Sequence, residues 1–155
     1  MTRIYFASLL LLICLCKSYG QTYTPVPITG YAVDAFAETG TDASAVTTVG
    51  LDLQLKVLYS ATFAATNSLA AGLPDNGTIV NGQRTYQLKN YDSLNAIFLS
   101  ANAVAPGSAS TGTYTLLTPA AYAKISILAW STEQSSTFNV TLHFVNAPDI
   151  NAGTF

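Results

Sequence analysis

The sequence predicts an all-β domain, an antiparallel β-sandwich of the jelly-roll type. Apolar and polar residues alternate with period two in several short runs, a pattern typical of strands with one buried face and one solvated face. Turn-forming Pro, Gly, Asn and Asp residues separate these runs at the spacing of a sandwich. β-branched and aromatic residues are frequent and no long helical pattern is present, so we expect about eight short strands.

The first twenty residues are expected to be a secretory signal peptide. Arg3 gives a basic start, residues 4–15 form an apolar run, and the SYG tripeptide at residues 18–20 is a small-x-small cleavage site. The run is short for a bilayer span, which disfavours the alternative of an uncleaved anchor. We predict a helical signal segment over residues 1–20, one β-sandwich domain over residues 21–155, and a secreted or cell-surface location.

Removal of the signal segment changes the composition of the mature chain. Cys14 and Cys16 leave with it, so we expect neither a disulfide nor a thiolate metal site. Four basic and eight acidic side chains remain, which gives a formal charge of −4. A nucleic-acid partner is therefore not expected, because binding to phosphate needs a basic face.

The first part of the mature chain predicts an edge segment followed by two strands. Pro25 and Pro27 lack backbone donors, so the segment that holds them should run extended along a sheet edge. We expect strands over residues 28–38 and 51–59, with a polar loop at residues 40–44. The second strand alternates more cleanly, with one face formed by Leu51, Leu53, Leu55, Val57 and Tyr59.

The middle of the chain combines turns with a hairpin. The alanine-rich residues 61–71 predict either a short helical turn or a loop. The LPDNG sequence at residues 73–77 is a strong turn signal, and Asn81-Gly82 is a two-residue hairpin turn. The expected strands run over residues 78–80, 84–88 and 96–100.

The clearest β pattern lies at residues 111–145. Three strands are expected there, over residues 113–116, 125–130 and 138–144. We predict a buried inward set of eight residues: Tyr114, Leu116, Ile125, Ile127, Phe138, Val140, Leu142 and Phe144. Trp130 and His143 then face outward, where a functional surface would lie.

No catalytic or metal-binding motif stands out. His143 is the single histidine, and we expect it to be a half-exposed strand residue, since triads and most zinc sites need further partners. The acids are spread through loops without a pair fixed for glycoside hydrolysis. Asp52 lies inside a predicted strand, where it either binds backbone or water or contributes to a structural calcium site. We therefore expect no enzyme and no cofactor, with structural calcium left open.

Four aromatic residues are candidates for ligand contact: Trp130, Tyr86, Tyr91 and Tyr122. Aromatic rings stack on sugar faces, and nearby Asn, Gln, Arg and Asp side chains can bind the hydroxyls. Glycans or other cell-surface components are therefore the expected partners. The alternative for Trp130 is that it closes one end of the core, as large aromatic residues commonly do.

Three segments also carry a resemblance to a known family. They are QTYTPVPITGYAVDAFAE (residues 21–38), GLPDNGTIVNGQRTYQL (72–88) and GTYTLLTPAAYAKISILAWSTEQSSTFNVTLHF (112–144). The chain resembles the N-terminal domains of large secreted Bacteroidota proteins, which are often exported with a C-terminal type IX sorting domain. The resemblance implies a galactose-binding-like jelly roll, a surface location, and an adhesive or glycan-binding accessory role. A purely structural spacer and a glycan-active hydrolase are the alternatives.

The chain departs from this family after Phe144. VNAPD at residues 145–149 stands where a Thr-Asp-Gly-Thr-like turn and further strands are expected. The sequence therefore predicts a sandwich that is incomplete at its C-terminal end, with one sheet edge left unpaired.

Overall fold

The computed structural model describes residues 23–51, 56–132 and 135–155, and strands outnumber helices in it. The strands are β1 (Ile28–Thr29), β2 (Phe36–Ala37), β3 (Leu58–Tyr59), β4 (Thr78–Asn81), β5 (Arg84–Gln87), β6 (Thr115–Leu116), β7 (Asn139–Leu142) and β8 (Ile150–Thr154). Helix α1 spans Ala61–Thr66, and 3-10 turns lie at Ala43–Ala45 and Ala101–Ala103. The predicted all-β class is confirmed. The predicted signal segment, residues 1–20, and Asp52 lie outside the described residues.

The strands pair into small sheets. β1 pairs with β6, β4 with β5, and β7 with β8, all antiparallel, whereas β2 and β3 are parallel. Isolated bridges add further links, such as Val33 with Ala96 and Tyr23 with Arg84. Each described sheet has two strands, so the two-layer jelly roll stays a prediction.

The continuous strand predicted over residues 28–38 is instead two short strands. Gly30 interrupts it with a φ of +107°, and a Cβ at that position would lie 2.1 Å from the backbone oxygen of Thr113. Only glycine allows both the positive φ and this close approach. The break turns β1 toward β6, while β2 continues into the core.

The strand predicted over residues 51–59 is described only in part, because residues 52–55 lie outside the described residues. Leu51 and Lys56 form an antiparallel bridge, and the Lys56 N–H donates to the Leu51 carbonyl over 3.0 Å. Among the described residues, the regular strand covers Leu58–Tyr59, where it pairs with β2.

The predicted β4–β5 hairpin is confirmed, with its turn shifted by one residue. Asn81 pairs with Arg84, so Gly82 and Gln83 occupy the two turn positions. Gly82 has a φ of +60°, and Gln83 is not among the residues with positive φ. A positive φ at the first turn position alone defines a type II′ turn, which needs glycine there.

Helix α1 settles the alternative at residues 61–71 in favour of a short helix. Ser60 caps its N-terminus, because the Ser60 Oγ accepts a hydrogen bond from the Phe63 N–H over 3.0 Å. The Asp75 carboxylate accepts two more bonds, from the N–H and the hydroxyl of Thr62. The turn at residues 73–77 therefore supports the start of the helix as well as reversing the chain.

The core is formed by residues between 33 and 96. Its members are Val33, Ala35, Phe36, Val49, Leu51, Tyr91 and Ala96. Phe36 is fully buried, and its ring stacks on Tyr91 with centroids 4.8 Å apart and planes 9° apart. Stacked aromatic pairs of this kind stabilise a core beyond the area that they bury.

The core predicted at residues 111–145 is wrong. Tyr114, Ile125, Ile127 and Phe144 are exposed, while Leu116, Phe138, Val140 and Leu142 are half-buried. Residues 125–130 form no strand in the structure. The period-two pattern determines which side chains share a face, but it does not determine which face another layer covers.

The C-terminal residues add a strand that the sequence does not predict. β8 pairs with β7, and the register shifts between Val140 and Thr141. Gly153, with a φ of +114°, lies opposite Val140. Because INAGT lacks regular alternation and its central residues Asn151, Ala152 and Gly153 have low strand propensity, the pairing with β7 makes it a strand.

Candidate functional site

Residues 125–130 contact the rest of the domain through alternate side chains. The Ser126 Oγ lies 2.7 Å from the Tyr86 hydroxyl, and the Trp130 ring meets Phe36 edge-on with centroids 6.1 Å apart. Ile125 and Ile127, on the other side, are 54% and 51% exposed. The predicted orientation is therefore reversed, since the side with Ser126 and Trp130 lies against the domain.

Trp130 borders the core and is partly open to solvent. Its ring contacts the fully buried Phe36, yet the residue is 45% exposed. An edge-to-face contact leaves part of an indole open to solvent. Contact of this open surface with a ligand stays a prediction.

Tyr86 and Tyr122 occupy different surroundings. Tyr86 is half-buried on β5 opposite Ile79, and its hydroxyl is paired with Ser126. Tyr122 is exposed and donates its hydroxyl proton to the Thr118 carbonyl over 2.9 Å. The structure thus links Tyr86 with the Trp130 segment, whereas the Tyr122 hydroxyl is used within its own loop.

Tyr91 lies in the core rather than on the exposed surface. It is 7% exposed, its ring stacks on Phe36, and its hydroxyl donates to the Pro74 carbonyl over 2.7 Å. Burial and the nearby charge of Asp75 raise the pKa of the Tyr91 hydroxyl. Sequence reasoning could not separate Tyr91 from an exposed tyrosine, because its segment, residues 90–95, lacks strand alternation.

A small polar cavity lies beside Tyr91, at the start of β4 and the end of β5. Its volume is about 40 Å³, and its lining includes Asp75, Asn76, Gln87, Lys89 and Asn90. A space of this size holds a few water molecules, whereas ligand pockets are usually about 300 Å³ or larger. The cavity is therefore too small to accommodate a sugar ring.

Asp34 is a buried acid whose carboxylate accepts two hydrogen bonds. The Asp34 Oδ1 accepts hydrogen bonds from the Asn95 side-chain amide over 2.6 Å and from the Phe36 N–H over 3.3 Å. Burial raises the pKa of Asp34 even though these bonds lower it. Burial also raises the pKa of Glu38, and the negative charges of Asp34 and Asp92 raise it further.

These acids do not form a cation site in the described structure. Among the residues that it describes, no group of three His, Cys, Asp or Glu side chains could hold a metal ion. The Glu38 Oε2 is buried and has no hydrogen-bond partner among those residues. The calcium alternative that involves Asp52 lies outside the described residues.

His143 pairs with Asp149 across the turn between β7 and β8. The His143 Nδ1 lies 2.8 Å from the Asp149 Oδ2, and both side chains are largely exposed. An imidazole oriented by a carboxylate is part of a hydrolytic triad, but a triad also needs a hydroxyl or thiol nucleophile. Neither side chain makes another polar contact with the described residues. In the sequence, the only signal of this pair is an acid six residues after the histidine, across a turn.

Comparisons with protein families, curated proteins and solved structures found no match for this chain. Within the described ranges, no helix has the length and apolar character needed to cross a membrane.

Proposed function

We propose that this chain is a secreted, non-catalytic β-sandwich module that binds carbohydrate through the surface around Trp130. The observation that carries the proposal is the 45% exposure of Trp130, which lies on the same segment as Ser126, whose hydroxyl is paired with that of Tyr86. An open indole face stacks on the apolar face of a sugar ring, and hydroxyl groups exchange hydrogen bonds with those of the sugar.

The sequence supports a location at which such a module would meet glycans. Residues 1–20 have the layout of a signal peptide, and the mature chain has few charges and a net charge of −4. The resemblance to type IX-exported Bacteroidota domains agrees with an adhesive accessory role on the cell surface. The same resemblance supports a galactose-binding-like jelly roll as the arrangement of the strands.

Affinity electrophoresis through gels that contain soluble polysaccharides tests the proposal. We expect at least one polysaccharide to retard the wild-type protein and the Trp130→Ala variant to migrate freely. Phe144→Ala is a matched control, because Phe144 is 46% exposed on a different part of the surface. Free migration of the wild-type protein through every gel, or equal retardation of Trp130→Ala, would contradict the proposal.

A structural spacer is the second candidate, and the contact of Trp130 with Phe36 favours it. In a spacer, Trp130 would serve only to cover the core. Trp130→Ala would then lower the free energy of unfolding, by less than the about 3–5 kcal/mol of a fully buried aromatic truncation because Trp130 is 45% exposed, without changing retention in any gel. Chemical unfolding of the variant, measured beside its migration, separates the two candidates.

A further inference from the structure

The dipeptide Asn-Gly occurs twice in the chain, at residues 76–77 and 81–82, and the two copies flank β4. Asparagine is a chemically labile residue, and its side chain reacts most readily when glycine follows. Glycine carries no side chain to shield its backbone nitrogen, and this nitrogen attacks the side-chain carbonyl carbon of the asparagine. Because both copies have the same local chemistry, their surroundings in the fold decide which of them reacts.

Three hydrogen bonds restrain the first Asn-Gly pair. The Gly77 N–H donates to the Pro74 carbonyl over 2.8 Å, so the attacking nitrogen is already engaged, and Gly77 is buried. The Asn76 Oδ1 accepts from the Thr78 N–H over 2.9 Å, and the Asn76 carbonyl accepts from the Gln87 side-chain amide over 2.8 Å. These bonds must break before the reacting atoms of Asn76 can reach the geometry of attack.

The second Asn-Gly pair lies at the open tip of the β4–β5 hairpin. Asn81 and Gly82 are both exposed, and a Cβ on Gly82 would meet nothing within 4 Å. Within the described residues, neither the Asn81 side chain nor the Gly82 N–H makes a hydrogen bond. Opening of the last pair of the hairpin, Asn81 with Arg84, is therefore enough to let the glycine nitrogen reach the side chain.

We propose that Asn81 is a site of deamidation in the folded protein, and that the fold protects Asn76 from the same reaction. The Gly82 nitrogen attacks the Asn81 Cγ, so that a bond forms between nitrogen and Cγ and the bond between Cγ and Nδ2 breaks. Ammonia leaves and takes the proton of the Gly82 N–H, which gives a five-membered imide. Water then opens the imide at one of its two carbonyl groups, and the product is aspartate or isoaspartate.

The reaction changes the end of the hairpin in two ways. Both products place a negative charge opposite Arg84, the strand partner of Asn81. Isoaspartate also routes the main chain through the former side chain, which lengthens the backbone and disturbs the register of this pair. Arg84 bridges to Tyr23, and the Tyr23 N–H donates to the Gln83 carbonyl over 3.1 Å. The modification therefore acts on the contact between the hairpin and Tyr23.

Peptide mass spectrometry of the incubated protein tests the proposal. The purified wild-type protein is kept at mildly alkaline pH, and samples taken over time are digested and fragmented to locate each conversion of amide to acid. We expect Asn81 to convert roughly tenfold faster than Asn76, or more, because Asn76 reacts only after its turn opens. In urea at a concentration that unfolds the chain, the two rates should become similar, since glycine follows both residues.

Two variants separate protection by the fold from the properties of the dipeptide. Gln87→Ala removes the bond to the Asn76 carbonyl, so conversion at Asn76 should become faster while conversion at Asn81 keeps its wild-type rate. Asn81→Gln lengthens the reacting side chain and would require a larger ring, so it should abolish the fast conversion and leave the slow one at Asn76. An unchanged rate at Asn76 in Gln87→Ala would contradict the protection assigned to this contact.

Equal rates at the two asparagines in the folded protein, or a faster rate at Asn76, would overturn the proposal. Conversion of Asn81 in urea without conversion in the folded protein would overturn it as well, since the hairpin would then protect its own tip. The inference does not rest on glycan binding, because deamidation is followed without any polysaccharide.

Discussion

At the scale of single residues, the Asp34–Asn95 contact connects distant parts of the chain. The Asn95 amide group donates to the Asp34 carboxylate, while its Oδ1 accepts from the Ala35 N–H over 3.0 Å. The Asp34 N–H donates to the Thr48 hydroxyl over 2.7 Å. Buried polar groups stabilise a fold only when they are paired, and these pairs hold residues 34, 48 and 95 in one place.

The raised pKa of Asp34 predicts a stability that falls with increasing pH. The folded state keeps the proton of Asp34 above the ordinary value of 3.8, at which the unfolded chain loses it. The free energy of unfolding contributed by this group is therefore complete below pH 3.8 and is lost as the pH rises through the raised pKa. Asparagine in place of Asp34 can still accept both hydrogen bonds, so Asp34→Asn should flatten this decline.

Urea unfolding at a series of pH values from about 3 to about 8 measures the effect. Asp42→Asn is a control of opposite sign, because hydrogen bonds from the hydroxyl and N–H of Ser44 lower the pKa of Asp42. The contribution of Asp42 to the free energy of unfolding is present above its unfolded pKa and is lost as the pH falls. Equal slopes above about pH 4 for Asp34→Asn and the wild type would contradict the assignment to Asp34.

The sequence predicts the role of a residue where that role depends only on the type of its side chain. The sequence singles out Trp130 as an aromatic candidate, and the residue is 45% exposed. Tyr91 looks the same in sequence, but the stacking of Phe36 places it in the core. Phe36 lies 55 residues away along the chain (91 − 36), and no local pattern reports such a contact.

At the scale of elements, local capping and turn signals determine α1 and the β4–β5 hairpin. Ser60 and Asp75 satisfy the N–H groups at the start of α1, which has only six residues and is too short to be stable alone. Gly82 sets the turn of the hairpin. The sequence predicts the hairpin apart from the exact position of its turn, and the helix as one of two alternatives, since most of the residues that form them are close in the chain.

Removing the cap of α1 should destabilise the domain. In Ser60→Ala the Phe63 N–H loses its acceptor and the Glu38 carbonyl loses the Ser60 hydroxyl. We expect the free energy of unfolding to drop by about 1–2 kcal/mol. Thr66→Ala, at the exposed end of the same helix, should change it by less than about 0.5 kcal/mol. Equal effects of the two substitutions in urea unfolding would argue against the cap.

Replacing Gly82 in the hairpin turn should destabilise the fold through backbone conformation alone. A Cβ on Gly82 would meet nothing within 4 Å, but its φ of +60° is unfavourable for other residues. Gly82→Ala should therefore lower the free energy of unfolding by about 1–2 kcal/mol. Gln83→Ala, at the next position, should be nearly neutral. If thermal unfolding shows the opposite order, Gly82 does not have the positive φ that the type II′ turn requires.

Strands that depend on distant partners are less predictable. Residues 125–130 have strong strand propensity, yet no described segment pairs with them, whereas INAGT at β8 has weak propensity and pairs with β7. A strand forms where a partner supplies hydrogen bonds, and sequence alternation does not identify that partner.

At the scale of the whole molecule, the burial of apolar side chains differs between the two ends of the described chain. The core draws on residues 33–37, 49–51 and 91–96, while many large apolar side chains after residue 110 are exposed. Exposed apolar surface of this kind is typical of interaction sites in a stable protein. The all-β class follows from composition and alternation, but the layer that covers each face depends on long-range packing that neither property encodes.

Contact between Trp130 and a carbohydrate is the central claim, and the fluorescence of Trp130 tests it most directly. Because the chain has a single tryptophan, its emission reports on this surface alone. The measurement is a titration of the protein with the polysaccharide that retards it in the gel, repeated with Phe144→Ala. We expect a saturable change in emission that is the same for both proteins. Retardation in the gel without any change in Trp130 emission would contradict the claim.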